Sequence, residues 1–277
     1  MSLTYSSVSI DDLETIAGLV RAVSWPHRPG DIELMIRLGG GRLVRDANDD
    51  QVLGVGLYWT FGDALARIGL IIVTPESQGR GIGRKLVTKL LEDTGPRPVV
   101  LLATDAGRPL YESLGFTAFD TSRQYQGIFE GEVVAGKDPR IRLASFEATA
   151  GITDLDQMAF GARRDHALES LAAAGDVSVL TENGTLTGYA FARPFGRGTV
   201  IGPLVAANEA DAIALFSALA RPGFVRVDCP GNATTLIRHL TASGLEDVGT
   251  SPVMVLGEWR APVGPQRIYG LASHALG

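Results

Sequence analysis

Along the first half of the chain, short apolar alternations are separated by stretches with a period near 3.6, the pattern of alternating strands and helices. Residues 7–10 alternate and predict a strand. Asp11 or Asp12 then opens a helix to about Val23, with Ile10 placed to staple its first turn. The prolines within 24–30 predict a loop. Asp31 starts a second helix to about Leu38, and three glycines at 39–41 end it. Strands are predicted over 42–46, 52–61 and 66–73. A glycine-rich loop over 75–83 leads into a helix to about Thr94, with Ile82, Leu86 and Leu90 on one face. An apolar strand at 99–103, a short helix at 107–114 closed by Gly115, and strands over 116–126 complete this half.

Residues 127–139 read as a loop or an ordered crossover. The pattern then starts again, with a strand at 140–146 and helices at 152–160 and 164–174. Strands follow at 177–182, 186–194 and 198–205, then a helix at 207–221, a strand at 224–229 and a helix at 232–243. Two strands near 246–250 and 253–258 precede a tail with a short apolar stretch. The order of elements repeats, and short segments correspond: Leu53-Gly54-Val55-Gly56-Leu57-Tyr58 with Thr187-Gly188-Tyr189-Ala190-Phe191-Ala192, and Leu114-Gly115-Phe116 with Ser243-Gly244-Leu245. Such self-similarity predicts two α/β domains of one fold, 1–130 and 140–277, arising as a tandem repeat.

Composition narrows the classes. The 277 residues are 45% hydrophobic and 20% charged, a globular balance that excludes disorder. A net charge of −6 with no basic tract argues against a nucleic-acid partner, since such binding rests on phosphate neutralisation. One cysteine, Cys229, excludes an internal disulfide and a multi-cysteine zinc site, and no two of the four histidines are close in sequence. No metal is expected. The N-terminus lacks the basic start and apolar run of a signal peptide, and no stretch approaches the ~18 apolar residues of a membrane helix. The expectation is a soluble, cytoplasmic protein with no membrane partner.

The chemistry lies in Val73-Thr74-Pro75-Glu76-Ser77-Gln78-Gly79-Arg80-Gly81-Ile82-Gly83-Arg84-Lys85-Leu86. A strand leads in and a helix leads out. Alternate glycines leave backbone N–H groups uncovered at a helix N-terminus, where free donors and the helix dipole attract anions. Three phosphate-binding loops can be compared. The dinucleotide fingerprint G-x-G-x-x-G fails, because its third glycine falls on Arg84 or Leu86. The P-loop fails, because Gly83 is followed by Arg84-Lys85-Leu86. The pattern Gln/Arg-x-x-Gly-x-Gly/Ala fits residues 78–83 fully.

That last pattern resembles the pyrophosphate-binding motif of the GNAT superfamily of N-acetyltransferases. The segment Leu110-Tyr111-Glu112-Ser113-Leu114-Gly115-Phe116 is similar to the Tyr-x-x-Leu-Gly-Phe segment near the end of that fold. The two motifs stand in order, over roughly residues 4–127. The resemblance implies a mixed α/β sheet, V-splayed, with helices on both faces and acyl-CoA where strands 66–73 and 99–103 part. It also implies acetyl-CoA as co-substrate, bound by the backbone of Ile71, Ile72 and Val73 and by Gln78, Gly79, Arg80, Gly81, Ile82 and Gly83. Tyr111 is the implied general acid for the departing thiolate.

An alkylamine acceptor, with a pKa of ~10.4, must lose a proton before it attacks. Many relatives carry a glutamate on the strand matching 66–70, and none stands here. Asp63, His27 or a water chain are the alternatives. Trp25 either lines the acceptor pocket beside His27 or anchors the core, and Tyr58 is a further pocket candidate. The second half is divergent. Its strand-to-helix junction, 201–211, has no glycine loop and carries Glu209 and Asp211, while Leu240 falls near the place of Tyr111. It is expected not to bind CoA in the usual way. The tail at 264–273 resembles the end of two-domain bacterial acetyltransferases of the YitH type. The expected activity is acetyl transfer to the primary amine of a small molecule by a monomer or homodimer. A non-catalytic acyl-CoA sensor and a protein-lysine acetyltransferase are the alternatives.

Overall fold

The computed structural model describes residues 2–131, 138–147, 149–260 and 262–277. In chain order the elements are β1 (Leu3–Ser7), α1 (Leu13–Ala22), α2 (Pro29–Leu38), β2 (Gly40–Asp46), β3 (Val52–Phe61), β4 (Leu65–Val73), α3 (Ile82–Thr94), β5 (Val99–Leu102), α4 (Arg108–Ser113) and β6 (Thr117–Phe129). Then come β7 (Ile141–Ala144), α5 (Ile152–Phe160), α6 (Asp165–Ala172), β8 (Asp176–Glu182), β9 (Thr185–Phe195), β10 (Gly198–Ala206), α7 (Glu209–Leu219), β11 (Gly223–Pro230), α8 (Thr234–Ala242), β12 (Glu246–Leu256) and β13 (Arg267–Gly270). Part of the expected crossover at 127–139, residues 132–137, lies outside the described residues.

Two helix starts differ from expectation in detail. Before α1, Ser9 caps a single tight turn over Ile10–Asp12: its Oγ accepts the Asp11 N–H at 3.3 Å, and Asp12 accepts the Ser9 N–H at 2.8 Å, while α1 itself begins from Asp12, whose side chain does not cap it. In α2, Asp31 stands at the third helical position, where its carboxylate reaches back to the Arg28 N–H at 2.8 Å. The expected pair of strands after residue 245 is one strand, β12, and the expected tail contains β13.

Contacts divide the chain into two compact units, and the division is not a single cut near 130. Unit 1 is Met1–Thr117 with Met254–Trp259 and Leu276; unit 2 is Ala118–Val253 with Arg260–Ala275 and Gly277. Each unit takes one strand from the other half of the chain. Nearly all of β6 belongs to unit 2, where it pairs antiparallel with β11 from Ser122↔Pro230 to Phe129↔Gly223. The end of β12 belongs to unit 1, next to β5.

The unit 1 sheet runs β1-β2-β3-β4-β5, antiparallel except for the parallel pair β4 and β5. One face packs on α3 and α4. Ile82, Leu86 and Leu90 meet Val44, Leu53, Ile68, Val99 and Leu101, and Met254 is fully buried among them. The other face packs on α1 and α2, where the buried Trp59 indole donates to the Met35 carbonyl at 3.0 Å. Apolar residues at alternate strand positions supply both faces, because a sheet covered on two sides must be apolar on both.

Unit 2 repeats this plan. Its sheet runs β6-β11-β10-β9-β8-β7, with only β10 and β11 parallel. Leu215 and Phe216 of α7 and Leu236 and Leu240 of α8 pack on Leu180, Ile201, Val225 and Val227. Cys229 is fully buried there, and burial pushes its thiol up to about 12, so it is an inert packing residue. A buried ion pair ties α5 to the start of α6: Arg164 donates to both oxygens of Asp156 at 2.8 Å, and Tyr189 also donates to Asp156. Replacing Arg164 with alanine leaves a buried carboxylate without its cation. The expected loss is ~3–5 kcal/mol of unfolding free energy in urea. A loss below ~1 kcal/mol would refute that role.

Candidate active site

The site begins with a defect in β4. Gly54 faces Val73, Val55 faces Ile72, and Leu57 faces Gly69, so Leu70 and Ile71 together stand opposite the single residue Gly56. This is a β-bulge, which re-aims the backbone and leaves one residue outside the ladder. Leu70 takes φ +50, a left-handed value uncommon for a leucine. Strain of that kind costs ~1–3 kcal/mol and persists where the surroundings over-determine it. Gly56 opposite the bulge lets α3 pack close: a Cβ there would come within 2.6 Å of Leu90 on that helix.

The gap comes next. β4 pairs with β5 only at Ala66↔Val99 and Arg67↔Val100, yet it continues to Val73. Beyond Arg67 the strands part, as the V-splay expectation has it. The β5-facing edge of residues 68–73 therefore presents backbone donors and acceptors that need another partner.

A loop closes the end of the gap. Residues 75–77 form a single tight turn, and the Gln78 side-chain amide donates to the Val73 carbonyl at 3.1 Å. Gly79 and Gly81 have φ +73 and +76, and a Cβ on either would meet nothing within 4 Å. These glycines are needed for backbone conformation, not for packing, and they leave the peptide groups open to an approaching ligand. Gly83 differs. It lies within α3, at 3.4 Å from Leu110 and 3.8 Å from Val73 by the same measure. No side chain caps α3 and no acid stands in its first turn, so its N–H groups and dipole favour an anion. Ile82 is buried in the core and offers only its backbone, whereas Arg80 is exposed.

Tyr111 stands on α4, the short helix that follows β5. Its ring packs edge-on against Phe116 at 5.8 Å and is 8% exposed. Burial pushes the hydroxyl up to about 12, so at neutral pH it holds its proton and can donate it.

The acceptor-side candidates separate. Trp25 and His27 remain together in the loop between α1 and α2, half-buried, their rings 6.1 Å apart and nearly perpendicular. Tyr58 is placed elsewhere. Its ring covers Gly40 and packs with the α3-side core, whereas the α1–α2 layer lies on the opposite face. Asp63 is also placed elsewhere. It is exposed in the turn between β3 and β4, 3.1 Å from Arg97, at the end of β4 where β5 is still paired. Five residues of strand, from Leu65 to Leu70, ~17 Å at 3.3 Å each, separate that end from the bulge. Asp63 is therefore withdrawn as a base and Tyr58 as a pocket residue. Two site features escaped the sequence reading. The bulge carries a leucine where a glycine would have signalled it. Arg67, 5% exposed, sits at the last pair before the gap opens, and its signal was a lone charge in the apolar run 65–73.

Two family models match the chain, both described as the acetyltransferase (GNAT) domain, over residues 41–118 and 152–270. Together they span more than two thirds of it. The chain belongs to the GNAT acetyltransferases. It is a tandem member and an acyltransferase, with one domain of the family in each half. The N-acetyltransferase YitH of Bacillus subtilis, itself uncharacterized, is 29% identical over 274 residues, covering 95% of this chain and 96% of that one. A Pyrococcus horikoshii structure named as a candidate acetyltransferase superposes with a TM-score of 0.78 at 21% identity, covering 99% and 96% of the two chains. A tandem GNAT protein from the clavulanic acid biosynthesis pathway gives 0.62 at 16% identity, covering 94% and 100%.

The co-substrate of this family is an acyl-CoA, and unit 1 fits one. The uncapped α3 terminus suits a diphosphate, and the unpaired edge of β4 suits an amide-bearing arm. Among the described residues, no three of His, Cys, Asp or Glu come together as a metal site, and no helix is long and apolar enough to cross a membrane.

Proposed function

We propose that this protein is an acetyl-CoA-dependent N-acetyltransferase with its reaction centre in unit 1, acting on the primary amine of a small molecule. The observation that carries this reading is the open α3 terminus, where Gly79 and Gly81 bare the backbone at the end of a parted strand pair. Bound acetyl-CoA supplies the thioester whose acetyl group is moved. The chain's own residues do the rest. The Gln78–Gly83 loop holds the diphosphate through its N–H groups. Backbone N–H groups across Ile71, Ile72 and Val73 hold the arm, and one beside the bulge donates to the thioester oxygen as it gains charge. Tyr111 gives its proton to the departing sulfur. The acceptor is admitted from the side of Trp25, and His27 or a water relay takes the proton from its ammonium group.

Gly81→Glu tests the loop. It sets a side chain at φ +76 and a carboxylate where the diphosphate belongs. The expected result is a Kd for acetyl-CoA raised by at least ~100-fold, worth ~2.7 kcal/mol. Wild type should also show a ligand-dependent rise in unfolding temperature that the variant lacks. Equal affinity in both proteins would end this reading.

A second reading has one observation in its favour. No carboxylate stands on β4 facing the gap, and Arg67 occupies that strand. A non-catalytic acyl-CoA sensor needs no base. Tight acetyl-CoA binding without turnover over a broad panel of amines, lysine peptides included, would select it.

A further inference from the structure

Unit 2 repeats the devices that open the gap in unit 1. β10 carries the same two-for-one bulge: Ile201 faces Ala192 and Leu204 faces Ala190, leaving two residues opposite Phe191. Its parallel ladder with β11 is also two pairs long, Thr199↔Val225 and Val200↔Arg226. Here the parted strands already have a companion. β13 runs antiparallel along β10, with Leu204↔Gly270, Val205↔Ile268 and Ala206↔Arg267. On the other side the Leu271 N–H donates to the Asp228 carbonyl of β11 at 2.9 Å. The fit leaves little room. A Cβ on Gly270 would come within 2.9 Å of the Ile201 carbonyl oxygen, and one on Gly202 within 2.0 Å of that of Leu271.

The residues after β13 are clamped. Arg193, itself 2% exposed, donates to the Ala272 carbonyl at 2.6 Å, and the buried Arg164 donates to the Gly277 carbonyl at 2.8 Å. The phosphate end is also served from within. The Asn208 side chain accepts the Asp211 N–H at 2.9 Å and so caps α7, and Asp211 pairs with Arg140 at 2.9 Å. Glu209 accepts the N–H groups of Thr235 and Leu236, at 2.6 and 2.8 Å, at the start of α8. A diphosphate arriving there would meet two carboxylates where unit 1 offers open donors.

We propose that residues 267–277 are a built-in ligand of unit 2. They take the place that acyl-CoA takes in unit 1, with the Asn208 side chain on the start of α7 and the Glu209 carboxylate on the start of α8 in place of an external anion. The backbone of β13 serves the β10 edge as an added strand does in peptide recognition. Because it is tethered, it competes at an effective concentration on the order of millimolar. Each chain therefore has one acyl-CoA site. That count rests on the proposed function for unit 1; the occupancy of unit 2 does not.

The test combines calorimetric titration of the full chain with acetyl-CoA, on wild type and Gly81→Glu, with amide hydrogen exchange. One site per chain in wild type and none in the variant is the expected result. The Leu271 amide should exchange at least 100-fold slower than in an unstructured peptide, and saturating acetyl-CoA should leave it unchanged. Two sites in wild type would overturn the proposal. So would exchange of Leu271 at the unstructured rate, or ligand-induced change at 267–271. A site kept in Gly81→Glu that alters exchange neither at 78–84 nor at 267–277 defeats the loop reading and supports an occupied unit 2. No binding in either protein, with Leu271 protected, does the same.

Discussion

Phenylalanine in place of Tyr111 is expected to lower kcat by ~10²–10³-fold while leaving the Kd for acetyl-CoA within about twofold, the usual scale for loss of a general acid. The substitution is clean because the ring is held by packing: the edge-on contact with Phe116 and the buried position on α4 survive loss of the oxygen. Stability should stay close to that of wild type. The pH profile gives a second check. With its hydroxyl pushed up to about 12, Tyr111 stays protonated through the neutral and mildly basic range. Its contribution is lost only as pH rises toward 12, so the rate should climb with pH as the acceptor amine deprotonates, without a falling limb from this residue. A variant with unchanged kcat would remove Tyr111 from the reaction.

The second large effect concerns the chain as a whole. A fragment ending at residue 130 contains every loop and helix of the candidate site, yet it should not fold cooperatively. It lacks Met254–Trp259, whose Met254 is fully buried against β5 and α3, and it retains β6 without its partner β11. Loss of a buried methionine alone costs ~2–5 kcal/mol, comparable with the whole stability of a small domain. The stranded β6 also exposes an unpaired edge open to aggregation. The full chain should melt in a sharp transition by circular dichroism, and the fragment should show none. A fragment that melts as sharply, at a similar temperature, would show that the exchanged strands are dispensable.

Much of the site was legible because it depends on local chemistry. Glycines at 79 and 81 announce left-handed backbone, and the strand before them and the helix after them follow from periodicity alone. Repetition of element order gave the tandem plan. What could not be read were partners distant in sequence. The alternation of β6 is the same whichever strand lies beside it, so nothing local reveals that it pairs with β11. The strands expected near 246–250 and 253–258 are one, because β12 runs straight through Pro252. β13 is four residues among glycines and prolines, too short for a periodic signal. Tyr58 and Asp63 were candidates from residue type and element alone, whereas the face of the sheet and the end of the strand decide what a residue can reach.

The traded strands also bear on how such a molecule can change over generations. A duplicated domain that has lost its own ligand is ordinarily free to drift, to shrink, or to be deleted. Here the last strand of unit 1, within Met254–Trp259, is encoded after Val253 of unit 2, so a frameshift or stop codon anywhere between residues 118 and 253 removes part of unit 1 as well. Selection on unit 1 thereby guards the coding sequence of both. Recombination with a single-domain relative should succeed only when its crossover points carry both traded segments together.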